Sequence, residues 1–272
     1  MRTKVFILAI CLFGVFTGNA ENVKGNGNIV TKEIQVGDFD KIDIGGNIVH
    51  NNKLFSSKIK ESYKLNYSQK AGTSSLTVTT DENLIPYLDI QSSNGRLTIR
   101  TTKRDKITPT KLVIDASSKN LNKVAVSGSM DFIVVTPFES EELNVSVSGA
   151  GDIIMKKQAD IQTVKLSISG AGDVDIEKLA CEKVEAKVSG AGDINLKGKA
   201  DQAKFSVSGA GDVEAYDLIA KSVSASVSGA GDIEVYASEE LDASVSGIGD
   251  ISYKGDAKVT KKKSGLGSIS KD

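Results

Sequence analysis

Asn144-Val145-Ser146-Val147-Ser148-Gly149-Ala150-Gly151-Asp152-Ile153 alternates apolar and polar residues, breaks at two glycines, and then resumes the alternation. Period two with an abrupt glycine interruption reads as strand, corner, strand. The phrase Ser-Gly-x-Gly-Asp, or a one-residue variant of it, begins at Ser127, Ser148, Ser169, Ser189, Ser208, Ser228, Ser246 and Ser264, with a spacing of 18 to 21 residues. A period of that size marks a solenoid, in which each repeat buries its apolar face against its neighbours. Coils of about 20 residues that close on themselves would stack about 4.8 Å apart as parallel sheets. The predicted architecture is all-β, a stacked parallel β-helix.

The stacking predicts files of like residues. Leu166 and Ile168, Ala186 and Val188, Phe205 and Val207, Ala225 and Val227, and Ala243 and Val245 point inward before the corner. Ile153, Val174, Ile194, Val213, Ile233 and Ile251 point inward after it. The corner glycines are expected to supply φ > 0 and close approach of neighbouring backbones. They do not read as a phosphate cradle, because no helix pattern follows any copy.

Residues 1–20 read as a secretory signal peptide: Arg2 and Lys4, an apolar run Val5–Phe16, then Gly18 and Ala20 before the cleavage point. Cys11 follows Ile10 inside the apolar run, which does not suit lipidation. Removing this segment takes away Arg2 and Lys4 and lowers the formal net charge from −1 to −3. The charges are spread along the chain, so the sequence shows no footprint for nucleic acid or anionic lipid, and Lys261–Lys263 reads as a solvated edge. The mature chain has no further membrane-spanning run. It keeps one cysteine, Cys181, and one histidine, His50. That excludes a disulfide, His/Cys zinc clusters and Ser-His-Asp or Cys-His catalysis. No cofactor is expected.

Residues 21–118 carry a degenerate version of the pattern and 119–272 the regular one, read together as one continuous domain. In the first part, Asn94-Gly95 between alternating runs is a hairpin turn or a coil corner, and Asp81 to Ile85 ahead of Pro86 suits a short helical turn.

Two files carry candidate chemistry. Asp131, Asp152, Asp173, Asp193, Asp212, Asp232 and Asp250 follow successive corners, with Ser268 in the eighth. In-register carboxylates about 5 Å apart repel by roughly 1 kcal/mol per pair in water. Either Asx-type turns at the glycine corner offset this, or Asp152, Asp173, Asp193, Asp212 and Asp232 hold a row of Ca²⁺. One carboxylate per coil is short of calcium's six to eight oxygens. The serine file before the corner suggests a hydroxyl ladder along the stack. Tyr216 and Tyr236, each four residues past its aspartate, are expected to stack outward, as simple cross-coil packing or as a ligand platform, with Tyr253 inward.

The Ser-Gly-Ala-Gly-Asp copies, together with Asp38-Phe39-Asp40-Lys41-Ile42, Asp81-Glu82-Asn83-Leu84-Ile85-Pro86-Tyr87, Asn94-Gly95-Arg96-Leu97 and Ile251-Ser252-Tyr253-Lys254-Gly255, resemble the secreted bacterial family known as the autotransporter-adhesin head GIN domain. The resemblance implies an exported right-handed β-helix of the Bacteroidetes type, in the periplasm or at the surface of a Gram-negative cell. It brings no catalytic residues. The barrel of a true autotransporter is not present up to Asp272, so self-export is not implied. Uniform coils with arginine only at Arg96, Arg100 and Arg104 do not build the cleft of a polysaccharide-cleaving β-helix. The expectation is a non-catalytic binding or scaffold protein whose partner is glycan or a cell-surface protein. The alternative is a rod that forms a homo-oligomer through its ends, where unpaired strand groups invite pairing.

Overall fold

The computed structural model describes residues 22–49, 63–102 and 106–272; the signal-peptide reading, His50 and Arg104 lie outside them. The chain forms a β-solenoid of about seven turns. One coil shows the plan. Strand β17 (Ile194–Val207) bends twice: Ile194–Leu196 makes a first face, Gly198–Ala200 a second and Gln202–Val207 a third, after which the chain enters the next corner. Its neighbours β16 (Val174–Val188) and β18 (Val213–Val227) lie in parallel register on either side.

The inward files are as the alternation predicts. Ile153, Val174, Ile194, Val213, Ile233 and Ile251 are no more than 1% exposed. On the third face Phe205 pairs in register with Ala186 on one side and Ala225 on the other. A ring between two methyl groups keeps the narrow interior filled without overlap. On the second face Cys181 continues the file of Ile161, Ala200 and Ala220.

Of the two reasons the sequence suggests for glycine at the corner, close approach holds and positive φ does not. None of the corner glycines from Gly128 to Gly267 has a positive φ; those that do include Gly95 and Gly198, at a hairpin turn and at the bend between the first two faces. What the corner requires is close approach. A Cβ on Gly190 would overlap the Gly170 carbonyl oxygen and lie 2.7 Å from the Ser169 carbonyl carbon. The same overlap recurs at every corner glycine from Gly149 onward. The first corner is looser, with a Cβ on Gly128 only 3.4 Å from Gly45 and Gly46. That corner carries Met130 where later copies have glycine, its side chain fully buried.

The N-terminal part is not built of coils alone. Strand β5 (Tyr63–Gln69) lies on the first face between β10 (Leu112–Ser118) and β12 (Asp131–Val134), parallel to both. Beyond β10 the pairing becomes antiparallel, to β6 (Ser75–Asp81) and then β2 (Ile29–Ile34). The third face ends in an antiparallel hairpin of β7 (Leu88–Ser93) and β8 (Arg96–Thr101), turned by Asn94 and Gly95 with φ 51° and 72°. Two positive φ values in a two-residue loop mark the hairpin alternative for Asn94-Gly95. A 3₁₀ helix occupies Glu82–Tyr87. Buried Asp81 ties this end together by accepting from Gly27 N–H and from the Thr110 N–H and hydroxyl. Tyr67 joins the two parts, stacking on Phe132 at 5.9 Å and meeting the Ser118 hydroxyl at 2.9 Å.

The other end is closed by charge. In β21 (Lys258–Lys263) the inward register positions opposite Ala243 and Val245 hold Lys261 and Lys263. Lys261 Nζ lies 4.9 Å from the centre of the Tyr253 ring and donates to the Ile269 carbonyl at 3.0 Å. Lysine in inward files halts strand addition, because a further coil would have to bury the ammonium groups. Lys261, Lys262 and Lys263 are all exposed, as a solvated edge requires, and two of them stand where a further coil would stack.

Gly190→Ala is expected to lower stability by about 2–3 kcal/mol, the cost of forcing a methyl group into packed backbone. Urea unfolding measures it, with Ala191→Ser as the near-neutral control. Lys261→Val/Lys263→Val is expected to form concentration-dependent oligomers by light scattering where the parent does not. Equal growth of both proteins would contradict the closing role of the lysines.

Candidate binding surface

At each corner the inter-coil hydrogen bonds change direction. Ala191 N–H donates back to the Gly170 carbonyl at 2.9 Å, whereas Ile194 N–H donates forward to the Asp212 carbonyl at 3.0 Å. Between them lies the aspartate N–H, which donates to a carboxylate of the preceding coil. Asp152, Asp173, Asp193, Asp212, Asp232 and Asp250 each donate to Oδ1 of the aspartate before, at 2.7–3.0 Å. Ser268 ends the file by donating its N–H and its hydroxyl to Asp250.

This corrects the local Asx-turn expectation: the carboxylate accepts from the next coil, not its own. A hydrogen bond to a charged acceptor contributes about 1.5–3 kcal/mol, against roughly 1 kcal/mol of repulsion between neighbouring carboxylates in water. The hydrogen bonds win. Among the described residues no group of three or more His, Cys, Asp or Glu side chains is placed to hold a metal ion.

The serine hydroxyls do not form a ladder along the stack. Ser127 and Ser189 donate to the carbonyls of Ile44 and Ile168 at 3.1 and 3.3 Å. Ser148, Ser169, Ser208, Ser228 and Ser246 are exposed at the corner, and their hydroxyls have no partner among the described residues. Two residues earlier, Ser146, Ser167, Ser206, Ser226 and Ser244 face outward in register, also without one. The third face thus presents two parallel hydroxyl files, interrupted in the inner one by Lys187.

The predicted tyrosine stack is absent. The register shifts between Ala215 and Ile219, which sets Tyr236 opposite Ile219 rather than Tyr216. The Tyr216 ring is instead covered by Lys254 Nζ, 4.0 Å from its centre, and its hydroxyl donates to Asp272. Burial first, and then the Asp272 contact, push its pKa up to about 12. Tyr253 is buried, as expected. Burial, aided by nearby Asp201, pushes the Cys181 thiol up to about 12.

Two shallow grooves run along the rod. One of about 780 Å³ on the second face is acidic, with Glu139, Glu141, Asp160 and Glu182. The other, about 450 Å³ on the third face, carries both signs of charge, with Lys183, Lys204 and Lys258 beside Glu240 and Asp242. The acidic groove has no signature in the sequence, because its residues come from consecutive coils and share no motif.

A family model described as "Putative auto-transporter adhesin, head GIN domain" matches residues 57–257. The chain belongs to this family. A crystal structure of a "Putative lipid binding protein" from Parabacteroides distasonis is similar at TM-score 0.84 and 28% identity, covering 93% of this chain and 100% of that one. A "putative adhesin" from the same organism is 30% identical at TM-score 0.83, with the same coverage of both chains. Another "putative adhesin", from Parabacteroides merdae, is 29% identical at TM-score 0.81, again over 93% and 100%. No curated protein matches. Among the described residues no helix is long and apolar enough to cross a membrane.

Asp193→Ala is expected to cost about 1 kcal/mol by orphaning the Asp212 N–H, and Asp193→Asn less, since its amide oxygen still accepts. Chemical denaturation of the three proteins checks the order. Millimolar Ca²⁺ is expected to leave the Tm of the parent unchanged; a Ca²⁺-dependent rise lost in Asp193→Ala would restore the calcium row.

Proposed function

We propose that this protein is an exported, non-catalytic, adhesin-like binding protein that presents its solenoid surface to a glycan of the cell envelope or of another cell. The observation that carries this reading is the repetition of free hydroxyls at fixed positions on consecutive coils of the third face. Coil spacing of about 4.8 Å makes such files a regular array of donors and acceptors. A polymer of hydroxylated units can meet that array at several points at once, and weak contacts then sum to useful avidity. Family membership supports the adhesin class, and Arg2, Lys4, the run Val5–Phe16 and Ala20 support export. The end-to-end rod is disfavoured by Lys261 and Lys263 in inward files.

A glycan array with the mature protein is expected to give binding to a repetitive polysaccharide. Ser206→Lys/Ser226→Lys, which changes only exposed side chains, is expected to weaken it by about tenfold or more. Absence of any glycan or whole-cell ligand, together with measurable polysaccharide hydrolysis, would overturn the reading.

A further inference from the structure

The last coil departs from the repeat in several files at once. The corner position held by Ala150, Ala171, Ala191, Ala210 and Ala230 becomes Ile248 and then Leu266. These two are stacked on adjacent coils, with Leu266 N–H bonded to the Gly247 carbonyl and Ile248 N–H to the Gly229 carbonyl. Their side chains are 63% and 85% exposed. The aspartate file ends in Ser268, which removes a carboxylate beside Leu266. The inward files end in Lys261 and Lys263, and Lys258 and Lys262 lie on the outer side of the same strand.

Residues 254–272 hold six lysines against two aspartates in a chain whose overall formal charge is −1. Read linearly, this run looks like an ordinary solvated edge. Folding gathers it on one end of the rod beside a protruding apolar pair. Part of the charge is tied up, with Lys262 Nζ 3.8 Å from Asp242, Lys271 Nζ 3.1 Å from Asp256 and Lys254 over Tyr216. Among the described residues Lys258 and Lys263 form no such ion pair, although Lys258 stands in register opposite Glu240.

A protruding apolar pair rimmed by ammonium groups matches a surface that is anionic at its face and apolar just beneath. We propose that the C-terminal coil, through Ile248, Leu266 and the surrounding lysines, docks on an anionic lipid bilayer. The lysines meet the headgroups, and the two aliphatic side chains enter the boundary between headgroups and acyl chains. This inference uses none of the serines of the glycan reading, although Lys258 and Lys262 lie on the outer side of the same third face.

The test is co-sedimentation of the mature protein with vesicles of phosphatidylglycerol and phosphatidylcholine, and with vesicles of phosphatidylcholine alone. Binding is expected only to the anionic vesicles, released when salt shortens the screening length to about 3 Å. Ile248→Ser/Leu266→Ser and Lys258→Gln/Lys262→Gln/Lys271→Gln are each expected to weaken it by about tenfold or more. All five positions are exposed, and the salt series on the unmodified protein tests the electrostatic half without any substitution. No binding to anionic vesicles, equal binding to both kinds, or binding indifferent to both variants would overturn the proposal. So would concentration-dependent self-association, abolished by Ile248→Ser/Leu266→Ser, in place of vesicle binding.

Discussion

Each coil rests on the previous one at a corner where two backbones come closer than any Cβ would allow. The carbonyl of Gly170 occupies the place a side chain on Gly190 would need, and the arrangement repeats from Gly149 to Gly267. The aspartate that follows completes the contact, its carboxylate taking the next coil's N–H where the ladder reverses direction. Glycine and aspartate thus have complementary tasks: one permits the approach and the other keeps a polar group from being stranded by it. Together they fix the register of every inward file, and so the core.

That register also decides what the surface can do. A side chain two residues before the corner always faces outward, so serine there becomes a file of free hydroxyls on the third face. Where a coil shortens, the files shift. The slip between Ala215 and Ile219 removes Tyr236 from Tyr216 and leaves room for Lys254 on the ring. The spacing falls from 21 residues at the first copies to 18 at the last.

Much of this was legible in the sequence, because a solenoid writes its three-dimensional neighbours at a fixed interval. Ile153 to Ile251 could be assigned to one buried file from spacing alone. The N-terminal closure was not legible. Leu76-Thr77-Val78-Thr79 alternates in the same way whether its partner runs parallel or antiparallel, and only the fold shows both its neighbours antiparallel. The role of the aspartates was legible in kind, as acceptors for backbone N–H, but not in direction, since a single repeat does not show which coil supplies the donor. Lys261 and Lys263 are exposed, as their charge implies, but only the fold shows that their register positions continue the files of Ala243 and Val245. The basic tip was missed for the same reason.

The central claim is that the aspartate carboxylates hold the coils together by accepting the N–H of the next aspartate. Amide hydrogen exchange, residue by residue, reads this directly. The account predicts that the Asp193, Asp212 and Asp232 amides exchange as slowly as the ladder amides of Ile194 and Val213, and that Asp193→Ala releases the Asp212 amide selectively. Fast exchange at all three aspartates in the unmodified protein, at rates typical of an open turn, would contradict it.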